Sequence, residues 1–142
     1  MDLPAPIPIP PALRAFLEAP HYATLATAGS DGEPHQAVVW YRLDPHERIL
    51  VNSNRGRRGP TDLLADPRCS LAVTDAGDPW HWVGVQGVVE QVVEDVPTAR
   101  DDIVALAVRY GDDEPDTVAR FRSQSRISFR IRIVGLHDHL ED

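Results

Sequence analysis

The sequence predicts an α+β fold that is mainly β: a six-stranded antiparallel β-barrel with short helices plugged into it. Three observations predict it. Six runs alternate between apolar and polar residues and are separated by turns rich in Gly, Asp and Pro. Two stretches switch to helical spacing, a short one after the third strand and a longer one after the fifth. The fifth run is long and rich in valine, with Gly84 and Gly87 set into it, as at the bent corner of a closing sheet.

Taken in order, the N-terminal MDLPAPIPIPP reads as an extended Pro-rich arm over residues 1–11. It has neither the basic start nor the apolar stretch of a signal peptide. PPALRAFLEAP follows as a short helix with Leu13, Phe16 and Leu17 on one face. HYATLATA and PHQAVVWYRL flank the turn GSDG, so residues 21–43 read as a hairpin. RILVNSN is the third strand. GPTDLLADP is a short helix begun at Gly59–Pro60 and ended by Pro67, and RCSLAVT is the fourth strand. In WHWVGVQGVVEQVVE, Val83, Val85, Val89 and Val93 share one face, and Gln86, Glu90 and Glu94 share the other. PTARDDIVALAVRYG is the clearest helix, opened by Pro97 and capped by Gly111, and PDTVARFR is a shorter one. SRISFRIRIV closes the series, with Ile127, Phe129, Ile131 and Ile133 inward and Arg126, Arg130 and Arg132 outward.

The 142 residues are the size of one domain, 1–142, with no linker or repeat inside it. No apolar run approaches the roughly 20 residues of a membrane helix, so no membrane partner is expected. The net charge is -8, which argues against nucleic acid as a partner. Every one of the 14 basic residues is arginine, so catalysis by a lysine is excluded. Cys69 is the single cysteine; it lies in an apolar run and reads as inert, and the absence of a possible internal disulfide points to a reducing cytoplasm. The sequence contains no nucleophile elbow, NTPase phosphate loop or dinucleotide glycine fingerprint. His137 and His139 are too few for a metal centre and read as part of a surface tail.

Against this acidic background, NSNRGRRGP crowds Arg55, Arg57 and Arg58 together. Guanidinium forks match phosphate oxygens in pairs, and a helix starting near Gly59 adds N–H donors and a favourable dipole. A strand end, Arg57, Arg58 and a helix N-terminus thus converge on an anion site, the alternative being a solvated basic turn.

ATLATAGSDGEPHQAVVWYRLD, RILVNSNRGRRGPTDLLADPRCSLAV and WHWVGVQGVVE, in that order, resemble the pyridoxamine-phosphate-oxidase-like split β-barrel superfamily. Within it they are most similar to the oxidoreductases that use the deazaflavin coenzyme F-420. The resemblance implies a split-barrel homodimer with the cofactor ring in a groove between subunits. It also implies hydride transfer between the cofactor and an unsaturated small organic substrate. On the family pattern, Val39, Trp40 and Tyr41 line the groove, and Asn52, Ser53 and Asn54 meet the ring edge or ribityl chain. Arg57 and Arg58 take the phosphate, Arg55 the anionic tail of F-420, and Gln86 reaches the partner's cofactor. Trp40 is otherwise core or interface. Trp80, His81 and Trp82 wall the substrate pocket or cement the dimer, and His81 is a candidate proton donor. Gly59 stands where the family carries a lysine, and Asp62 would repel phosphate if it pointed inward. FMN therefore stays open as the cofactor, as does a non-enzymatic dimer binding a cofactor or tetrapyrrole, or a dimer that has lost the site.

Overall fold

The chain passes from an extended N-terminal arm into α1 (Pro11–Glu18), β1 (Tyr22–Ala28), β2 (Pro34–Val39), β3 (Arg42–Leu43), β4 (Arg48–Asn54) and α2 (Arg58–Ala65). It continues through β5 (Arg68–Asp75), β6 (Asp78–Val93), α3 (Val96–Arg109), α4 (Pro115–Ser123) and β7 (Arg126–His139). The computed structural model describes residues 2–141. The described strands form one antiparallel sheet in the order β2-β1-β5-β6-β7-β4-β3. Its two edge strands, β2 and β3, are separated by only Trp40 and Tyr41, so the sheet has to curl until its edges approach.

The expected six strands are therefore seven, because PHQAVVWYRL is broken at Trp40–Tyr41. Tyr41 is fully buried, and its backbone is taken by side chains instead of a ladder: its N–H donates to Tyr110 Oη at 3.2 Å, and its carbonyl accepts from Arg109 Nε at 3.0 Å. A residue bonded in this way leaves the sheet and lets the chain cross from one edge to the other.

The inner face of the curl is built as the alternation predicts. Ala23 and Leu25 of β1, Val83 and Val85 of β6, and Ile127, Phe129, Ile131 and Ile133 of β7 are buried there. Helix α1 seals one end with Leu13, Phe16 and Leu17, and the arm lies along β7 through the Ile7 N–H to the Ile133 carbonyl. Helix α3 covers part of the outer face with Ala99, Ile103, Leu106 and Ala107, and just past its C-cap Tyr110 the chain turns at Gly111, whose φ of 69° lies in the left-handed region that glycine enters most readily.

Strand β6 bends at two irregularities, after Gln86 and after Val89; the second breaks the expected one-face row, so that Val92 pairs with inward Phe129 while Val93, like Val88 opposite Arg132, is buried on the outer face. At the first irregularity, a Cβ on Gly87 would overlap Cγ2 of the fully buried Ile131. Gly87→Ala is accordingly expected to cost about 1–3 kcal/mol of stability by overpacking, read from the midpoint of chemical unfolding.

Strand β7 runs on to His139, so His137 and His139 are strand residues and not a tail. They pair with the start of β6, and the rings of both lie 5.1 Å from that of Trp82.

Candidate active site

A cleft of about 570 Å³ opens where the β1–β2 hairpin, the end of β4, the start of α2, the start of β7 and helix α4 meet. Its walls differ in chemistry. One is aromatic: Tyr22, Trp40 and Phe121 line it, with Trp40 stacked on Tyr110 at 5.2 Å and edge-on to Phe121 at 6.2 Å. The other is cationic, formed by Arg57, Arg58 and Arg126 beside Gly59 and Pro60.

These three guanidiniums are not equivalent. Arg58 is engaged by acids, with Asp62 at 3.5 Å and Glu33 at 3.7 Å. Asp62 is itself buried and accepts a hydrogen bond from Thr27 Oγ1 at 2.8 Å. Arg57 sits at the N-cap of α2, where its carbonyl accepts from Thr61. Its guanidinium has no ion pair or hydrogen bond among the described residues. Arg126 is only 7% exposed, yet its partners are neutral: Nε donates to Asn52 Oδ1 and Nη1 to Gln124 Oε1, both at 2.9 Å. The guanidinium also lies over the Phe121 ring at 5.2 Å.

Burial, and then the charge of Arg57, push the Arg126 pKa down to about 10. It remains charged at neutral pH. Two adjacent cations without a carboxylate therefore face the cleft, and burying an unpaired charge is costly unless something else balances it. An anion placed between them would supply that balance.

Arg126 is the site residue that sequence reasoning missed. Strict alternation places it outward with Arg130 and Arg132, but at this end of β7 the outer face is covered by α3 and α4, so outward is buried. His35, on β2, is a second lining residue that the motif reading passed over.

Of the residues singled out from the sequence, Val39, Trp40, Asn52, Ser53, Arg57 and Arg58 line this cleft. Tyr41 does not; it is in the barrel core and donates its hydroxyl to the Leu17 carbonyl at 2.9 Å. Asn54 lies beyond the lining, and Arg55 is drawn away to Glu94, bonding its carbonyl at 3.3 Å. Gln86 is exposed on β6 and outside the lining of this chain's cleft. His81 is also outside the cleft, 3.8 Å from Asp75 and edge-on to Phe16. Trp80 is 80% exposed.

Cys69 is partly buried, and burial first and Asp66 second push its thiol up to about 12. Iodoacetamide at pH 8 is expected to leave it unmodified in the native protein and to alkylate it in denaturant, as mass spectrometry would show. Among the described residues no group of three or more His, Cys, Asp or Glu stands ready for a metal, and no helix is long and apolar enough to cross a membrane.

With the geometry in hand, known proteins give it context. The family model described as pyridoxamine 5'-phosphate oxidase matches residues 9–139. A pyridoxine/pyridoxamine 5'-phosphate oxidase of Cupriavidus metallidurans is 34% identical over 93 residues, 64% of this chain. That match spans only 41% of the oxidase's own length. The F420H(2)-dependent biliverdin reductase of Mycobacterium tuberculosis is 30% identical over 102 residues, 72% of each chain. A solved F420 reductase superposes with a TM-score of 0.74 at 26% identity, covering 91% of this chain and 98% of that one.

Proposed function

The chain belongs to the pyridoxamine 5'-phosphate oxidase family, and from that premise we propose that it is an oxidoreductase whose cleft seats the phosphoryl end of a flavin-type cofactor, reduced F-420 foremost. The observation that carries the reading is Arg126: a buried cation, balanced by no carboxylate, next to an unpartnered Arg57. The residues present fit the group. Arg57 and Arg126 offer paired N–H donors to phosphoryl oxygens, and the first N–H groups of α2 add to them. Gly59, at the position where the family pattern has a lysine, leaves open space: a Cβ there would meet nothing within 4 Å.

When bound, such a cofactor supplies the hydride chemistry. The chain supplies the rest. Arg57 and Arg126 fix one end of the ligand; Val39, Trp40, Asn52 and Ser53 border the space for its ring and ribityl chain. Tyr22, Trp40 and Phe121 give an aromatic wall that excludes water and favours an unsaturated organic substrate.

F-420 is preferred to FMN because the likeness to the F420H(2)-dependent reductase extends over 72% of both chains. The oxidase likeness keeps FMN as the second reading. The tail of F-420 would not find Arg55, which is held by Glu94. The reading includes a homodimer: beside the cleft Val38 is 71% and Tyr22 47% exposed, apolar area that a second copy of the chain would cover. The experiment is a fluorescence titration with F-420 and with FMN, alongside light scattering to measure mass. Micromolar binding of F-420 by a dimer supports the proposal; tighter binding of FMN moves it to the second reading. Binding of neither overturns it.

A further inference from the structure

Behind Arg126 runs a chain of hydrogen bonds whose direction is set at its far end. Asp102, on α3, is buried, and a carboxylate can only accept. The Ser128 hydroxyl therefore gives its proton to Asp102 Oδ2, at 2.8 Å. Ser128 Oγ is then left to accept, and Asn52 Nδ2 donates to it at 2.8 Å. The second Nδ2 hydrogen goes to the Ala99 carbonyl, also at 2.8 Å. With both amide hydrogens committed, Asn52 can turn only its oxygen to Arg126.

The contrast with the neighbouring arginines is informative. Arg58 and Arg55 each have a carboxylate nearby, Asp62 at 3.5 Å from Arg58 and Glu94 at 3.6 Å from Arg55. A carboxylate placed directly on Arg126 would compete with any incoming anion. A neutral amide holds the guanidinium in place without cancelling it.

We propose that Asp102, Ser128 and Asn52 form a positioning array that orients Arg126 toward the cleft while leaving its charge uncancelled, and that this array makes the cleft select phosphorylated over unphosphorylated ligands of the same ring type. The inference rests on the cofactor reading above and assigns the selectivity within that site. Asn52, which lines the cleft, acts on the ligand through Arg126.

The test compares two ligand pairs that differ at the phosphate: FMN with riboflavin, and F-420 with its phosphate-free deazaflavin riboside. Affinities are measured by fluorescence for the wild type, Asn52→Asp and Ser128→Ala. Asn52→Asp is nearly isosteric and sets a carboxylate on Arg126; it is expected to lower the preference for the phosphorylated ligand, the ratio of the two affinities, about tenfold. Ser128→Ala frees the amide to turn and is expected to lower the same preference about threefold. If Asn52→Asp does not fold, judged by circular dichroism, Ser128→Ala decides. An unchanged preference, or equal weakening of both members of a pair, overturns the array while the cofactor reading stands. A wild type indifferent to phosphate in both pairs overturns the cofactor reading and this inference together.

Discussion

Arg126→Ala is expected to weaken binding of a phosphorylated flavin or deazaflavin by about 2–3 kcal/mol, roughly 30- to 150-fold, while leaving the fold almost as stable as before. The two effects separate for a physical reason. In the ligand-free protein Arg126 is buried with neutral partners only, so its burial is not repaid by an ion pair. Deleting it loses two hydrogen bonds and the contact with Phe121, but it also removes an uncompensated charge lying close to Arg57. Calorimetric titration and thermal melting of one sample check both halves. Affinity equal to wild type would remove the anion seat. A large loss of stability together with affinity would recast Arg126 as a framework residue. A supporting expectation is that the affinity of the wild type falls as ionic strength rises.

Arg109→Ala is expected to have the opposite profile, costing about 3 kcal/mol of stability. Its guanidinium closes the C-terminal end of α1, donating to the carbonyls of Glu18 at 2.9 Å and Ala19 at 2.8 Å. The same group reaches the Tyr41 carbonyl at 3.0 Å and lies 5.5 Å from the Tyr41 ring and 5.7 Å from that of Tyr110. Truncation strands carbonyls from two separate segments at once, at the place where α1, the sheet edge and α3 are joined. Arg109→Lys should recover less than half of the loss, because one ammonium cannot span the same fan of acceptors as a planar fork. Chemical unfolding measures both variants; an alanine variant as stable as wild type would show that water satisfies these carbonyls adequately.

These two arginines also mark the border of what the sequence makes legible. Period-two alternation is a local property, and it locates β1 and β7 and the inward row Ile127, Phe129, Ile131 and Ile133. Helical spacing with Pro and Gly at the ends is local too, and α1, α3 and the left-handed Gly111 follow from it. The break at Trp40–Tyr41 is not local: it depends on Tyr110 and Arg109, almost seventy positions away, taking the Tyr41 backbone. Likewise, nothing near Arg126 says that α3 and α4 fold over its side of the strand. The basic cluster drew attention to the right place, since Arg57 and Arg58 line the cleft. Yet Arg55 is lost to Glu94 and Arg58 is occupied by Asp62 and Glu33, pairings made by tertiary proximity and invisible to composition.

The passage of the chain between β2 and β3 has a consequence for how the curl is kept. No ladder joins these two edges, since they lie at opposite ends of the strand order. What ties them is a covalent tether of two residues, so the entropy of bringing the edges together is nearly nil once the rest of the sheet has formed. A circular permutant opened between Trp40 and Tyr41 would lose that tether, and its curl would rest on the enclosed core and on the bonds from Tyr110 and Arg109 to Tyr41. In the intact chain this corner of the cleft is pinned, the Tyr41 backbone being held by Tyr110 and Arg109 as well as by the tether.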